Sequence, residues 1–112
     1  MAYDTDLADR IRELVATEPG LDERRMFGGL AFLINGNLSV AASGRGGLLV
    51  RVPPADTDEL TGDDRVEPMV MAGQPRRGWL HVAADADEDA WVEEWVTRGV
   101  SYARSLPAKR GR

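Results

Sequence analysis

The chain has no cysteine, a single histidine and a single lysine among its 112 residues. The first absence removes disulfides, thiolate nucleophiles and zinc ribbons. The second leaves His81 alone and removes any multi-histidine metal site. Thirteen of the 14 basic residues are arginine, a bias that reads as composition rather than arginine chemistry. No stretch approaches the ~20 apolar residues that a membrane helix needs. The start, MAYDTDLADR, lacks the basic and apolar regions of a signal peptide. A cytoplasmic protein without a membrane partner is therefore expected. Basic residues are also outnumbered by 19 acids, giving a net charge of −5. That balance argues against nucleic-acid binding by bulk charge.

What is present is a 43% hydrophobic chain of one-domain length. Leu7, Ile11, Leu14 and Val15 line one helical face, predicting a helix from Thr5 to Glu18 capped by Asp4 or Thr5. Pro19-Gly20 ends it. Glu23–Phe27 reads as a short strand, and Leu30–Ile34 as a strand buried on both faces. Asn35-Gly36 is a strong hairpin signal because both residues tolerate positive φ. Asn37–Ala42 returns, with Leu38 and Val40 alternating against polar or small neighbours. Ser43–Gly47 is a second turn, and Leu48–Val52 a third strand. Pro53-Pro54 stops it, since proline cannot donate to a ladder.

Ala55–Thr61 is a short helix. The acidic run from Asp56 to Glu67 reads as a solvated loop. Glu67–Met71 and Trp79–Val82 are further strands, joined by Gly73–Gly78 as a polar turn. Asp85 caps the last helix with Glu88 completing a capping box, and the acids from Asp85 to Asp89 favour its N-terminus. Trp91, Val92, Trp95, Val96, Gly99, Val100, Ala103 and Leu106 then form one apolar stripe. The order predicts an α+β domain over residues 1–106. It has a single mostly antiparallel sheet of five to six strands, with an N-terminal helix, a short middle helix and a long C-terminal helix. Residues 107–112 form a basic tail.

Candidate chemistry is sparse. His81 shares a strand face with Trp79, and no serine or acid pattern completes a catalytic set around it. The alternating acids Asp85, Asp87 and Asp89 resemble a calcium loop. However, Ala90 and Val96 stand where that loop needs glycine and a bidentate glutamate. Gly44-Arg45-Gly46-Gly47 lies between two strands with no following lysine, so it is a turn rather than a phosphate loop. No catalytic residue, metal ligand or cofactor is assigned. Arg24-Arg25 and Arg76-Arg77 would make a basic patch if their segments met in the sheet, but no aromatic interleaving accompanies them. Trp91 and Trp95 read as core. Exposed sheet edges can pair with a partner or a second copy, so a homodimer is one expectation.

Arg25-Met26-Phe27-Gly28-Gly29, following an amphipathic helix and preceding a β-hairpin, resembles the opening of the TfoX/Sxy N-terminal domain family. The later Leu48–Val52, Glu67–Met71 and Gly78–Val82 segments and the final helix extend the resemblance to nearly the whole chain. It implies a secretion-chaperone-like α+β arrangement. It also implies a non-enzymatic role in bacterial transcription or competence regulation, exerted through protein contacts beside the cyclic-AMP receptor protein rather than by reading DNA. Full-length regulators carry a second, C-terminal domain, so a single-domain member is expected here.

On residues alone, Gly28-Gly29 permits a bend or a close backbone approach. Met26 and Phe27 point to opposite faces, and the motif reads first as a folding element. The leading reading is an adaptor whose candidate contact residues are Arg24, Arg25, Arg76, Arg77, Trp79 and His81. The alternatives are a nucleic-acid-associated protein using the four arginines, or a small-ligand binder or enzyme. One exposed arginine patch would favour the former, and scattered or ion-paired arginines the adaptor.

Overall fold

A computed structural model describes residues 3–26 and 28–109; the expectation that Phe27 points to the face opposite Met26 lies outside the described residues. The elements are α1 (Thr5–Val15), β1 (Leu21–Met26), β2 (Gly29–Ile34), β3 (Asn37–Ala42), β4 (Leu48–Arg51), α2 (Thr57–Leu60), β5 (Val66–Met71), β6 (Gln74–Val82) and α3 (Asp89–Ser105). A single turn of 3-10 helix, Pro54–Asp56, leads into α2. The strands form one antiparallel sheet in the order β1-β2-β3-β4-β6-β5.

Local chemistry explains most boundaries. The Asp4 carboxylate accepts from Leu7 N–H at 3.1 Å and caps α1. The helix stops at Val15, one turn earlier than the periodicity suggests, and Glu18 N–H bonds the Val15 carbonyl outside it. Asn35 and Gly36 both have positive φ, as the hairpin between β2 and β3 requires.

The sheet alternates as strands must, and both of its faces are apolar. One face carries Phe32, Val40, Val50, Leu80 and Val82, all fully buried beneath α1 and α3. The other carries Ala31, Leu33, Leu38, Ala41 and Leu49, with Met26, Met69 and Trp79 packed against them. β2 and β3 are therefore buried at every residue.

Three expectations are corrected. Leu38 and Val40 lie in different clusters, because a bulge at Ser39 resets the alternation. The Ser39 hydroxyl donates to the Phe32 carbonyl at 2.7 Å and satisfies the irregularity. Gly73–Gly78 is not a polar turn. β6 already starts at Gln74, and the turn is the two-residue Ala72-Gly73, both at positive φ. Its polar composition reflects a strand that leaves the core, exposed until Gly78.

Finally, α3 begins at Asp89 rather than near Asp85. Glu88 does reach back to Asp85 N–H at 2.9 Å, but it closes a turn ahead of the helix. Only Asp89 remains in the first helical turn. α3 lies close over β3 at Gly99, where a Cβ would overlap the Ser39 carbonyl oxygen. The start of the basic tail is docked: Lys109 N–H donates to the Asn35 carbonyl at 2.8 Å, and Asn37 Nδ2 to the Pro107 carbonyl at 3.0 Å.

Candidate interaction surface

The Arg25–Gly29 segment joins β1 to β2 at one edge of the sheet. Gly28 has φ +75°, a conformation that L side chains rarely adopt. Gly29 packs against the β3–β4 connection, and a Cβ there would overlap the Ala42 carbonyl oxygen. The two glycines thus serve different needs, a turn and a close approach. Both fit a folding element.

Alternation along β1 places Arg25 on the helix-bearing side with Leu21 and Glu23, and Arg24 with Met26 on the helix-free side. Glu23 is held by Arg12 of α1 through two bonds of 2.8 and 3.0 Å. The Arg12 guanidinium keeps that carboxyl below the usual glutamate range, chiefly by hydrogen bonding. Arg24 pairs with Asp22 at 3.0 Å.

Arg76 lies opposite Met69 and so shares its helix-free face. Arg77 turns the other way, reaching Asp58 at 3.2 Å and the Pro54 carbonyl. The four arginines are thus divided two and two between the sides of the sheet, and Arg24 and Arg77 are ion-paired. They do not assemble into one patch.

Trp79 and His81 do share a face, as expected. Arg51, directly opposite Trp79 in the ladder, stacks over its indole at 4.7 Å. His81 is half-buried rather than freely exposed. Its Nε2–H donates to the Gly46 carbonyl at 2.6 Å, tying the β3–β4 turn to β6. Its Nδ1 stands 3.9 Å from Glu67.

Met26 on β1 and Met69 on β5, near opposite ends of the strand order, line one cavity with Ala41, Leu49, Arg45 and His81. The helix-free side is therefore concave, and its cavity of about 50 Å³ has room for little more than a water molecule. A larger hollow of about 310 Å³ lies between α2 and α3, beside Val52, Leu60, Arg98 and Tyr102. That is the lower limit for small-molecule sites. Its arginine is already engaged by Glu94 at 3.0 Å and by the Trp95 ring. Among the described residues, no group of three or more His, Cys, Asp or Glu side chains is placed to hold a metal ion. No helix among them is long and apolar enough to cross a membrane.

Sequence reasoning missed Arg65. It donates to Glu88 at 2.6 Å and to the Ala83 carbonyl, and stacks on Trp91 at 4.4 Å. Trp91 Nε1–H donates to the same Ala83 carbonyl. Glu88 is held below the usual carboxylate range, first by Asp85 N–H and then by Arg65. The network joins the start of β5 to the start of α3. Its one sequence signal was a lone arginine in an acidic run.

These features define an α+β domain: one curled antiparallel sheet with its helices on one side and a Met- and Trp-rimmed concave side opposite. The TfoX N-terminal domain family model matches residues 13–103, and the chain belongs to that family. No curated protein and no solved structure matches the chain.

Proposed function

We propose that this domain is a non-enzymatic regulatory adaptor that acts through protein contacts in transcription or competence control. Membership of the TfoX N-terminal domain family is the observation that carries this reading. The division of Arg24, Arg25, Arg76 and Arg77 between two sides of the sheet supports a protein rather than a nucleic-acid partner, because phosphate binding needs the charges on one surface. The concave side offers the candidate contact residues Arg24, Arg76, Trp79 and His81. Its flanking methionines, Met26 and Met69, adapt readily to a partner's shape.

Affinity capture from native cell extract tests the proposal. Recovery of RNA polymerase or a transcription factor is expected, with loss when Arg24→Glu and Arg76→Glu are combined. Recovery of nucleic acid alone overturns it.

A further inference from the structure

The two outer strands treat their free edges differently. β1 carries four consecutive charged residues, Asp22-Glu23-Arg24-Arg25, all exposed. Charged side chains along an edge discourage pairing with another chain. The first half of β5 is guarded as well, by exposed Glu67 and by Pro68, which has no N–H to offer. The segment that follows, Met69-Val70-Met71, has no charge and no proline. Val70 is 57% exposed, the only large hydrophobic among the described residues that is exposed.

Backbone geometry fixes which groups this segment presents. Ala72-Gly73 is a two-residue turn, so Met71 and Gln74 form its hydrogen-bonded closing pair. The next pair, Val70 and Pro75, is then a non-hydrogen-bonded pair, and Pro75 has no N–H in any case. The Val70 N–H and C=O consequently point away from β6. The other end of the strand gives the same phase. The Arg65 carbonyl accepts from Ala83 N–H beside β6, whereas Val66 N–H points outward to the Asp63 carbonyl. Val66, Pro68 and Val70 therefore all face outward.

We infer that the Pro68–Ala72 edge is a self-association site that takes the same edge of a second copy of this chain, antiparallel, about a two-fold axis at Val70. The edge is self-complementary in that register. Each Val70 N–H donates to the Val70 carbonyl of the second copy. Each Ala72 N–H, next outward in the alternation, lies opposite the second copy's Pro68 carbonyl. The missing Pro68 N–H limits the ladder to these few bonds and stops it from extending toward Glu67. The two sheets join edge to edge, and both concave sides stay open. Such a short contact makes a weak, concentration-dependent dimer.

Sedimentation velocity on the full chain, from about 10 µM to about 1 mM, tests this. The wild-type coefficient is expected to rise toward that of a dimer. Val70→Pro deletes only an outward N–H and leaves the ladder with β6 intact, and Val70→Lys adds an edge charge. Both variants are expected to stay monomeric with unchanged circular dichroism. Hydrogen exchange at the Val70 and Ala72 amides should slow with concentration, while β1 amides do not change. A wild-type chain that remains monomeric throughout overturns the inference. So does a Val70→Lys variant that dimerises like wild type, or protection that appears on β1 instead.

Discussion

The two faces of the sheet are built from the same strands and both are apolar, yet they are covered by different means. Phe32, Val40, Val50 and Leu80 lie under two helices. Ala31, Leu33, Leu38 and Leu49 lie under the curl of the sheet itself, with Met26, Met69 and Trp79 closing over them. A helix fixes its residues collectively, through a backbone ladder as well as side chains. Methionine and an arginine-stacked indole cover as individual side chains that can repack. The first face is therefore expected to contribute more to the stability of the fold, and the second to repack more readily when it is perturbed.

That contrast can be broken by mutation. Phe32→Ala removes a fully buried ring under α1 and α3 and is expected to cost about 3–5 kcal/mol in chemical denaturation. Leu49→Ala, on the concave face, should fall near ~2 kcal/mol, because the flanking methionines can collapse into the space. Equal losses at the two sites would show that the concave cluster is as rigid as the main core. Gly29→Ala places a Cβ on the Ala42 carbonyl at the seam between β2 and the β3–β4 turn. A loss of about 1–3 kcal/mol in a thermal or urea melt is expected for such overpacking.

A smaller effect comes from pH. The folded-state carboxyl of Glu23 titrates below its ordinary value of 4.5. Its contribution is present above that value and is lost as pH falls through the lower folded value. Glu23→Gln should therefore lower stability slightly at neutral pH and flatten its decline in the acid range, read from urea melts across pH. Least of all, Arg77→Ala breaks an exposed pair with Asp58 and should change the melt by less than about 0.5 kcal/mol. A larger loss would mean that the bond to the Pro54 carbonyl anchors the short helical segment.

Reading the fold from the sequence succeeded where one local rule acted alone. Within the predicted 3.6-residue stripe, Val92, Trp95, Val96, Gly99 and Ala103 are the buried side of α3, and Asn35-Gly36 is the predicted hairpin. It failed where two rules competed. Gln74–Gly78 has turn composition but strand geometry, because the Ala72-Gly73 turn already reverses the chain. Asp85 and Glu88 form half of a capping box, but the helix waits until Asp89 because Arg65 and Asp85 hold the Glu88 carboxylate outside it. The candidate surface was half legible. Trp79 and His81 were placed on one face by alternation, whereas the separation of the four arginines followed from strand order and register.

The sequence by itself determined most of the element types, the Asn35-Gly36 hairpin and the freedom for a bend or close approach at Gly28-Gly29. Those depend on φ preferences and on side-chain periods within a few residues. Only the tertiary structure decided that Met26 and Met69 meet across a curled sheet, that Arg65 joins β5 to α3, and that β1 and β5 are the two free edges of the sheet. Those depend on which strands lie side by side and in what register. Local propensity does not encode that choice; packing of the whole sheet against α1 and α3 sets it.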